Sequence, residues 1–192
     1  MDRTFDPRPL LLRALDQLEK LAGRLDTARL TRETPCTEYD LRALLGHTIG
    51  AVHRIAYVGE GGRGLDLPAA AGEIADTDWG GAVGRARERL AAAWAEDAKL
   101  DREVEVPWGL VPGRIALGGY VMEVVTHTWD AAQVIDPATE LDEELSQVAL
   151  GIAQQVLPPS RRGPEVPFGE VRAVPDDADV HTRLAGWLGR AV

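Results

Sequence analysis

Apolar residues recur every three to four positions in five segments of the chain, which is the spacing of an amphipathic helix. In the first segment Leu11, Leu15 and Leu18 mark the apolar stripe. The second segment follows the sequence TEYD at residues 37–40, which has the form of a capping box with Thr37 as the N-cap. The spacing predicts helices over residues 9–28, 41–58, 79–97, 115–134 and 141–156.

The segments between these helices predict three further features. Residues 59–78 are rich in Gly, Ala and Asp, which is typical of a long crossover connection. Residues 103–114 alternate apolar and polar positions around PWG and PG, which favours a short hairpin. Near the end of the chain we expect a strand over 168–174 and a last helix over 177–188, with Gly189 as its C-cap.

These elements predict an all-α fold in two parts. Residues 1–158 are expected to form a four-helix bundle that also includes the fifth helix. Residues 159–192 are expected to form a small C-terminal α/β appendage that packs on the bundle.

Charge and cysteine content exclude several classes of partner. The chain has 31 acidic and 21 basic residues, a net charge of -10, and residues 115–160 contain no Lys or Arg at all. Nucleic acids and anionic membranes require a basic face, so we expect neither as a partner. Cys36 is the single cysteine, which excludes an intrachain disulfide and favours the cytoplasm. We also expect no secretory signal and no membrane span, because no apolar run reaches about 20 residues.

The fourth helix carries a candidate metal site. Glu123 and His127 are four residues apart and Asp130 is three further on, so the three side chains lie on one face of the helix. Two ligands at this spacing can reach one divalent ion. A solvated stripe on an otherwise apolar helix has the same spacing and is the commoner case. Spacing alone therefore leaves both interpretations open.

A third ligand would have to come from another helix, and the second helix offers two histidines. His47 lies among small residues that let a neighbouring helix approach, whereas His53 adjoins Arg54 and is expected to meet solvent. His47 is the better candidate ligand, with a hydrogen-bonded structural histidine as the alternative. Asp177 and His181 repeat the spacing, but they begin a short helix among other acids, as in a solvated first turn.

Two sequence motifs resemble the DinB-like metal-binding superfamily. The segment TPCTEYDLRALLGH, residues 34–47, is similar to its opening motif, in which a Thr-Pro-Cys turn precedes a helix that carries a histidine. The segment EVVTHTWDAA, residues 123–132, resembles the E-x3-H-x-WD-x-A signature of the branch named after mycothiol-dependent maleylpyruvate isomerase. The PWG hairpin and the ending over residues 168–190 are also similar to that branch, so the resemblance extends over nearly the whole chain.

The resemblance implies a DinB-like four-helix bundle with a long crossover and a divalent ion held by His47, Glu123 and His127. It also implies that the ion activates mycothiol or a similar small thiol, in an isomerase or S-transferase reaction on a small-molecule substrate. A metal-bound thiol or water, rather than a protein side chain, is then expected to act. Zinc is the first expectation, and nickel, iron and manganese accept the same ligands. Only residues 159–192 follow the bundle, whereas the isomerase has a substantial second domain, so its reaction is not carried over by name.

Several interpretations stay open from the sequence. A non-catalytic metal-binding module, such as a sensor or accessory protein, is the alternative function, and an open, thiol-accessible site would distinguish the two. Asp130 either orients a ligand histidine or is a surface acid. Cys36 is either a reactive thiol or a small buried one. Trp108 and Trp129 either line a pocket or belong to the core. Monomer and homodimer are both compatible with the sequence.

Overall fold

The computed structural model describes residues 5–163, 166 and 168–192, and within them it is mainly helical, which confirms the predicted all-α class. The six described helices are α1 (Arg8–Ala22), α2 (Leu41–Glu60), α3 (Trp79–Ala93), α4 (Gly113–Ile135), α5 (Glu143–Val156) and α6 (Val180–Trp187). The two strands, β1 (Glu103–Val106) and β2 (Gly109–Pro112), form the antiparallel hairpin predicted before the fourth helix. Among the described residues, no helix combines the length and apolar composition that a membrane crossing requires.

Helices α1 to α4 form the bundle. Both α1 and α2 lie against α3 and α4, and the leucine stripe of α1 is fully buried in the core between them. Helix α4 also contacts α5 and α6, and α5 contacts α6. A helix with neighbours on most sides needs no polar face, and α4 is accordingly apolar nearly all round. Buried polar side chains of α4, among them His127 and Asp130, therefore require partners inside the protein.

The start of α2 differs from the predicted capping box. The N-cap is Asp40, whose carboxylate accepts a hydrogen bond from the Ala43 backbone N–H at 2.8 Å. The preceding turn is closed by Thr34, whose hydroxyl donates to the carbonyls of Cys36 and Tyr39. Thr37 is consequently exposed within that turn and lies outside the helix.

The crossover between α2 and α3 passes close to the first half of α2. The Ala71 N–H donates to the Gly46 carbonyl at 2.9 Å. A Cβ atom added at Gly50 would lie 2.7 Å from the backbone of Ala70 and Ala71, so a larger residue cannot be accommodated there without displacement. This contact places the crossover beside His47.

Two helices are shorter than the spacing predicts. Helix α1 ends at Ala22 and α3 at Ala93, and each is followed by a separate 3₁₀ turn, Thr27–Arg29 and Asp97–Leu100. The apolar pattern continues past both helix ends because Leu25 and Leu30, on either side of the first turn, and Leu100, in the second, pack on the core. The pattern alone therefore did not separate the turns from the helices.

The predicted strand over residues 168–174 is wrong. No strand is assigned there, and Arg172 donates its N–H to the carbonyl of Gly186 in α6 at 2.9 Å. A strand needs a partner strand for its ladder, and here a helix end supplies the acceptor. The appendage is thus helix and extended chain. Helix α6 begins at Val180, with Asp179 as N-cap, three residues later than expected. The division at residue 158 stays a prediction.

Candidate metal centre

Three side chains from two helices converge on one side of the bundle. His47 extends from α2, and Glu123 and His127 extend from successive turns of α4. Glu123 Oε1 lies 2.9 Å from His47 Nε2 and 3.4 Å from His127 Nε2. One ligand atom from each residue lies within 4.8 Å of the other two. The structure therefore brings together the three residues that the motifs indicated.

The donor set and its spacing fit a divalent ion. Metal–ligand bonds of about 2.0–2.2 Å at tetrahedral angles place ligand atoms about 3.3–3.6 Å apart, and the two separations from Glu123 Oε1, 2.9 and 3.4 Å, are close to this range. Two imidazoles and one carboxylate are a ligand set found in three-ligand sites that keep an open position. His47 and Glu123 are 20% and 21% exposed, against 5% for His127, so the cluster opens to solvent at His47 and Glu123.

The two histidine rings are held in different ways. His47 stacks on the Tyr39 ring at a centroid distance of 5.0 Å and meets the His127 ring edge-on at 5.3 Å. Its Nδ1 atom is buried and has no hydrogen-bond partner among the described residues. His127 instead donates from Nδ1 to Asp130 at 3.0 Å, which directs its Nε2 toward Glu123. Asp130 is thus a buried partner of His127 and not a surface acid.

The electrostatics of the cluster couple Glu123 and His127. Burial raises the pKa of Glu123, but the charge of His127 and hydrogen bonds from His127 and His47 outweigh it and hold that pKa well below its usual range. Burial lowers the pKa of His127, yet Glu123 and the hydrogen bond to Asp130 raise it overall to about 9. The ionised carboxylate of Glu123 attracts a cation to this position, and a metal ion would have to displace the proton that it stabilises on His127.

Asp130 is buried with a cation that the sequence did not indicate. Its side chain is 0% exposed, and its partner Arg190, from the chain beyond α6, is 7% exposed. Arg190 donates from Nε to Oδ1 at 3.0 Å and from Nη2 to Oδ2 at 2.9 Å. The guanidinium thus contacts both carboxylate oxygens, and the C-terminal segment reaches the ligand cluster through Asp130.

Cys36 lies next to the cluster. Its thiol, His127 and Asp130 form a second group of close metal-ligating atoms. Asp130 is already occupied by Arg190 and His127, so this group is the weaker candidate for an ion. Burial raises the pKa of the Cys36 thiol, which favours the protonated form and agrees with a structural role.

The remaining histidines lie elsewhere. His53 Nδ1 is 3.3 Å from Arg89, and burial followed by the charge of Arg89 lowers its pKa. His181 Nδ1 is 2.7 Å from the Ser146 hydroxyl. Neither residue belongs to a group of metal-ligating atoms among the described residues.

The hairpin lies against α4 one turn before Glu123. Trp108 is 54% exposed, and its ring centroid is 5.3 Å from that of Tyr120. A Cβ atom at Gly119 would approach the Trp108 ring to 2.8 Å, so glycine allows this contact. Trp129 is only partly buried, and the structure places neither tryptophan among the ligand atoms.

Comparison with known sequences identifies one matching family. Residues 11–132 match the model described as the mycothiol maleylpyruvate isomerase N-terminal domain. Two uncharacterised proteins from two strains of Mycobacterium tuberculosis are each 30% identical over 191 residues, which is 98% of this chain and 100% of the relative. Helices α2 and α3 and most of α1 and α4 fall within the matched region.

Solved structures with the same fold are crystal structures of mycothiol-dependent maleylpyruvate isomerase. A histidine-to-alanine variant of that enzyme superposes with a TM-score of 0.60 at 13% identity, over 76% of this chain. A second structure, of the isomerase itself, gives 0.57 at 14% identity with the same coverage. The chain spans 65% of the length of these isomerase chains. At this identity the likeness shows the fold alone.

Proposed function

Because the chain belongs to the mycothiol maleylpyruvate isomerase N-terminal domain family, a DinB-like branch, we propose that it is a metal- and thiol-dependent isomerase or S-transferase. Its cosubstrate would be mycothiol or a similar small thiol. His47, Glu123 and His127 would hold the divalent ion, with zinc as the first expectation. The convergence of these three ligand atoms, open to solvent on one side, is the observation that carries the proposal.

The ion and the chain would have separate tasks. When bound, the ion supplies the Lewis acidity that turns a small thiol into a nucleophilic thiolate at neutral pH. The chain orients the ligands: Asp130 holds the Nδ1–H of His127, and Tyr39 supports the ring of His47. No protein thiol is required as the nucleophile, which agrees with the buried and protonated state of Cys36.

Access to the cluster supports catalysis over a purely structural ion. His47 and Glu123 are each about one-fifth exposed, 20% and 21%, so a small molecule can approach the ligand atoms from that side. A structural site is closed by protein ligands, whereas a catalytic site keeps a position free. Tyr120 lies one turn before Glu123 on α4, and the exposed Trp108 of the hairpin packs against it, so the substrate would pass the Trp108 ring.

The reaction class is proposed, and maleylpyruvate is not proposed as the substrate. The chain matches 65% of the isomerase chain, so part of that enzyme has no counterpart in the matched region. The electrophile that accepts the thiol depends on the walls around the site, which this degree of likeness leaves undefined.

The first experiment measures the metal content of the purified protein and of His127→Ala, with His53→Ala as the matched control. We expect stoichiometric metal in the wild type and in the control and little in His127→Ala. The cobalt-substituted wild type is then titrated with a small thiol, which should produce a thiolate-to-cobalt charge-transfer band.

Each other outcome has a defined meaning. Metal binding without a thiol response would replace the proposed enzyme by a non-catalytic metal-binding module. A wild-type protein without stoichiometric metal would contradict the proposal. A variant with alanine at His47, Glu123 and His127 that keeps both the metal and the thiol-dependent turnover would contradict it too.

A further inference from the structure

We infer that Arg190 is a positioning residue of the metal centre: it fixes the buried carboxylate of Asp130, which in turn orients the ligand His127. The inference rests on the proposed function, because it concerns the same metal site. It extends that site to the C-terminal segment of the chain, which carries none of the three ligands.

The first step is the geometry of the ion pair. Arg190 makes three hydrogen bonds to Asp130, of 3.0, 3.2 and 2.9 Å, so it contacts both oxygens. A guanidinium that binds a carboxylate at both oxygens fixes the plane of that carboxylate. One of the same oxygens, Oδ2, accepts the Nδ1–H of His127 at 3.0 Å. The orientation of the His127 ring is therefore tied to the position of the guanidinium.

The second step is the burial of the pair. Asp130 is 0% and Arg190 is 7% exposed. The one Lys or Arg of α4 is Arg114 in its first turn, which donates to Asp101, and residues 115–160 contain neither residue type, so this helix offers Asp130 no replacement for Arg190. Without Arg190 the buried carboxylate would keep His127 as its side-chain partner among the described residues, and nothing would fix its plane. The acceptor oxygen of the His127 N–H would then be free to rotate.

The third step is the way the chain delivers Arg190. The Arg190 N–H donates to the Ala185 carbonyl and the Gly189 N–H donates to the Gly186 carbonyl, which is the hydrogen-bond pattern of a Schellman motif. Gly189 has φ = 83°, a left-handed conformation that glycine adopts readily. A Cβ atom there would lie 2.7 Å from the Gly169 backbone. The helix end is therefore built to turn the chain at Gly189 and to place Arg190 against α4.

The test compares metal affinity in the full-length protein. Arg190→Gln is expected to weaken the affinity for zinc by about 10–100-fold, the usual effect of removing a residue that supports a metal ligand. Its cobalt-substituted form should show an altered d–d absorption spectrum, because the His127 ring is no longer held in one orientation. Arg190→Lys keeps the charge but cannot bind both oxygens of Asp130 with a planar group, so its zinc affinity should lie between those of the wild type and Arg190→Gln.

Arg183→Gln is the matched control. Arg183 lies on α6, the helix that precedes Arg190, is exposed, and makes no side-chain hydrogen bond or ion pair among the described residues. Arg183→Gln removes the same charge as Arg190→Gln and should leave the zinc affinity and the cobalt spectrum unchanged. Thermal unfolding of each metal-free variant shows whether it is folded. If Arg190→Gln does not fold, Arg190→Lys decides.

The outcomes separate this inference from the proposed function. A wild-type protein that binds no divalent ion refutes both. A wild type that binds stoichiometric zinc, with a folded Arg190→Gln variant of equal affinity and an identical cobalt spectrum, refutes the positioning role alone. If Arg190→Gln is unfolded, an Arg190→Lys variant with wild-type zinc affinity and an unchanged cobalt spectrum also refutes the positioning role alone.

Discussion

Replacing Asp130 by alanine is expected to destabilise the metal-free protein by about 3–5 kcal/mol, because it leaves a buried charge without a counter-ion. Arg190 is 7% exposed in the folded chain and donates three hydrogen bonds to this carboxylate. The His127 Nδ1–H loses its acceptor at the same time. The loss is larger than the pair itself contributes, since the guanidinium cannot reach water in the folded protein.

The size of this effect predicts strong non-additivity. Arg190→Met alone leaves Asp130 buried without its cation and should also be costly. The double variant Asp130→Ala with Arg190→Met removes both charges, so much of the penalty disappears. We expect the double variant to lose about 1.5–3 kcal/mol less free energy of unfolding than the two single variants lose together, which is the upper range of coupling for residues in direct contact.

Urea denaturation in the presence of a chelator measures these free energies, provided the slope against urea is the same for all variants. Asp76→Ala is the control, because its ion pair with Arg42 lies on the surface with side chains 50% and 43% exposed. It should show no measurable change. A loss below about 1 kcal/mol for Asp130→Ala, or strictly additive single effects, would refute the argument.

Three further predictions follow from the same structure. Glu123→Gln should abolish stoichiometric zinc binding, as measured by metal analysis, because the cluster loses its only anionic ligand. In the metal-free protein the pKa of His127 is raised from 6.5 to about 9, so protonated His127 stabilises the fold by about 3 kcal/mol below pH 6.5, and this stabilisation is lost as the pH rises through 9. Urea denaturation at pH 6 and pH 9.5 should show the decline in the free energy of unfolding. An equal decline in the His127→Gln variant would contradict the prediction. Gly50→Ala should destabilise the fold by about 1–3 kcal/mol in urea denaturation, because its Cβ would contact the crossover at 2.7 Å, whereas Gly151→Ala, with nothing within 4 Å, should be neutral or slightly stabilising.

The sequence predicted the helices well and their ends less well, for a physical reason. The apolar period depends on burial, and Leu25 and Leu30 around the 3₁₀ turn after α1 and Leu100 in the turn after α3 pack on the same core as the helices. The start of α2 was misplaced because of one turn. The hydroxyl of Thr34 closes the loop before the helix, and Asp40, rather than the predicted Thr37, is the N-cap. The strand over residues 168–174 failed because strand formation requires a partner that local sequence does not reveal.

The candidate ligands were accessible to sequence reasoning to different degrees. Glu123 and His127 are linked by helical spacing, but choosing between a metal site and a solvated stripe required the family motif. His47, 76 residues away from Glu123, was favoured over His53 by its small neighbours, and the family motif then indicated it as the third ligand. Arg190 lies 60 residues from Asp130 and follows an ordinary helix end, so no local signal associates them. Only the docking of α6 on α4 and α5 reveals the pair.

The docking of α6 on α4 and α5 accounts for how the uneven charge along the chain is neutralised. Residues 115–160 carry seven acids and no Lys or Arg, so every cation that neutralises this region has to come from another part of the sequence. Arg13 of α1 pairs with Asp142, and Arg190 pairs with the buried Asp130. The first pair is partly exposed, and screening by water and salt makes it dispensable. The second is inside the protein, where an unpaired carboxylate is costly. The two members of this pair lie on opposite sides of residue 158 in the sequence, so Arg190 links residues 159–192 to α4 through the buried carboxylate beside the candidate ligands.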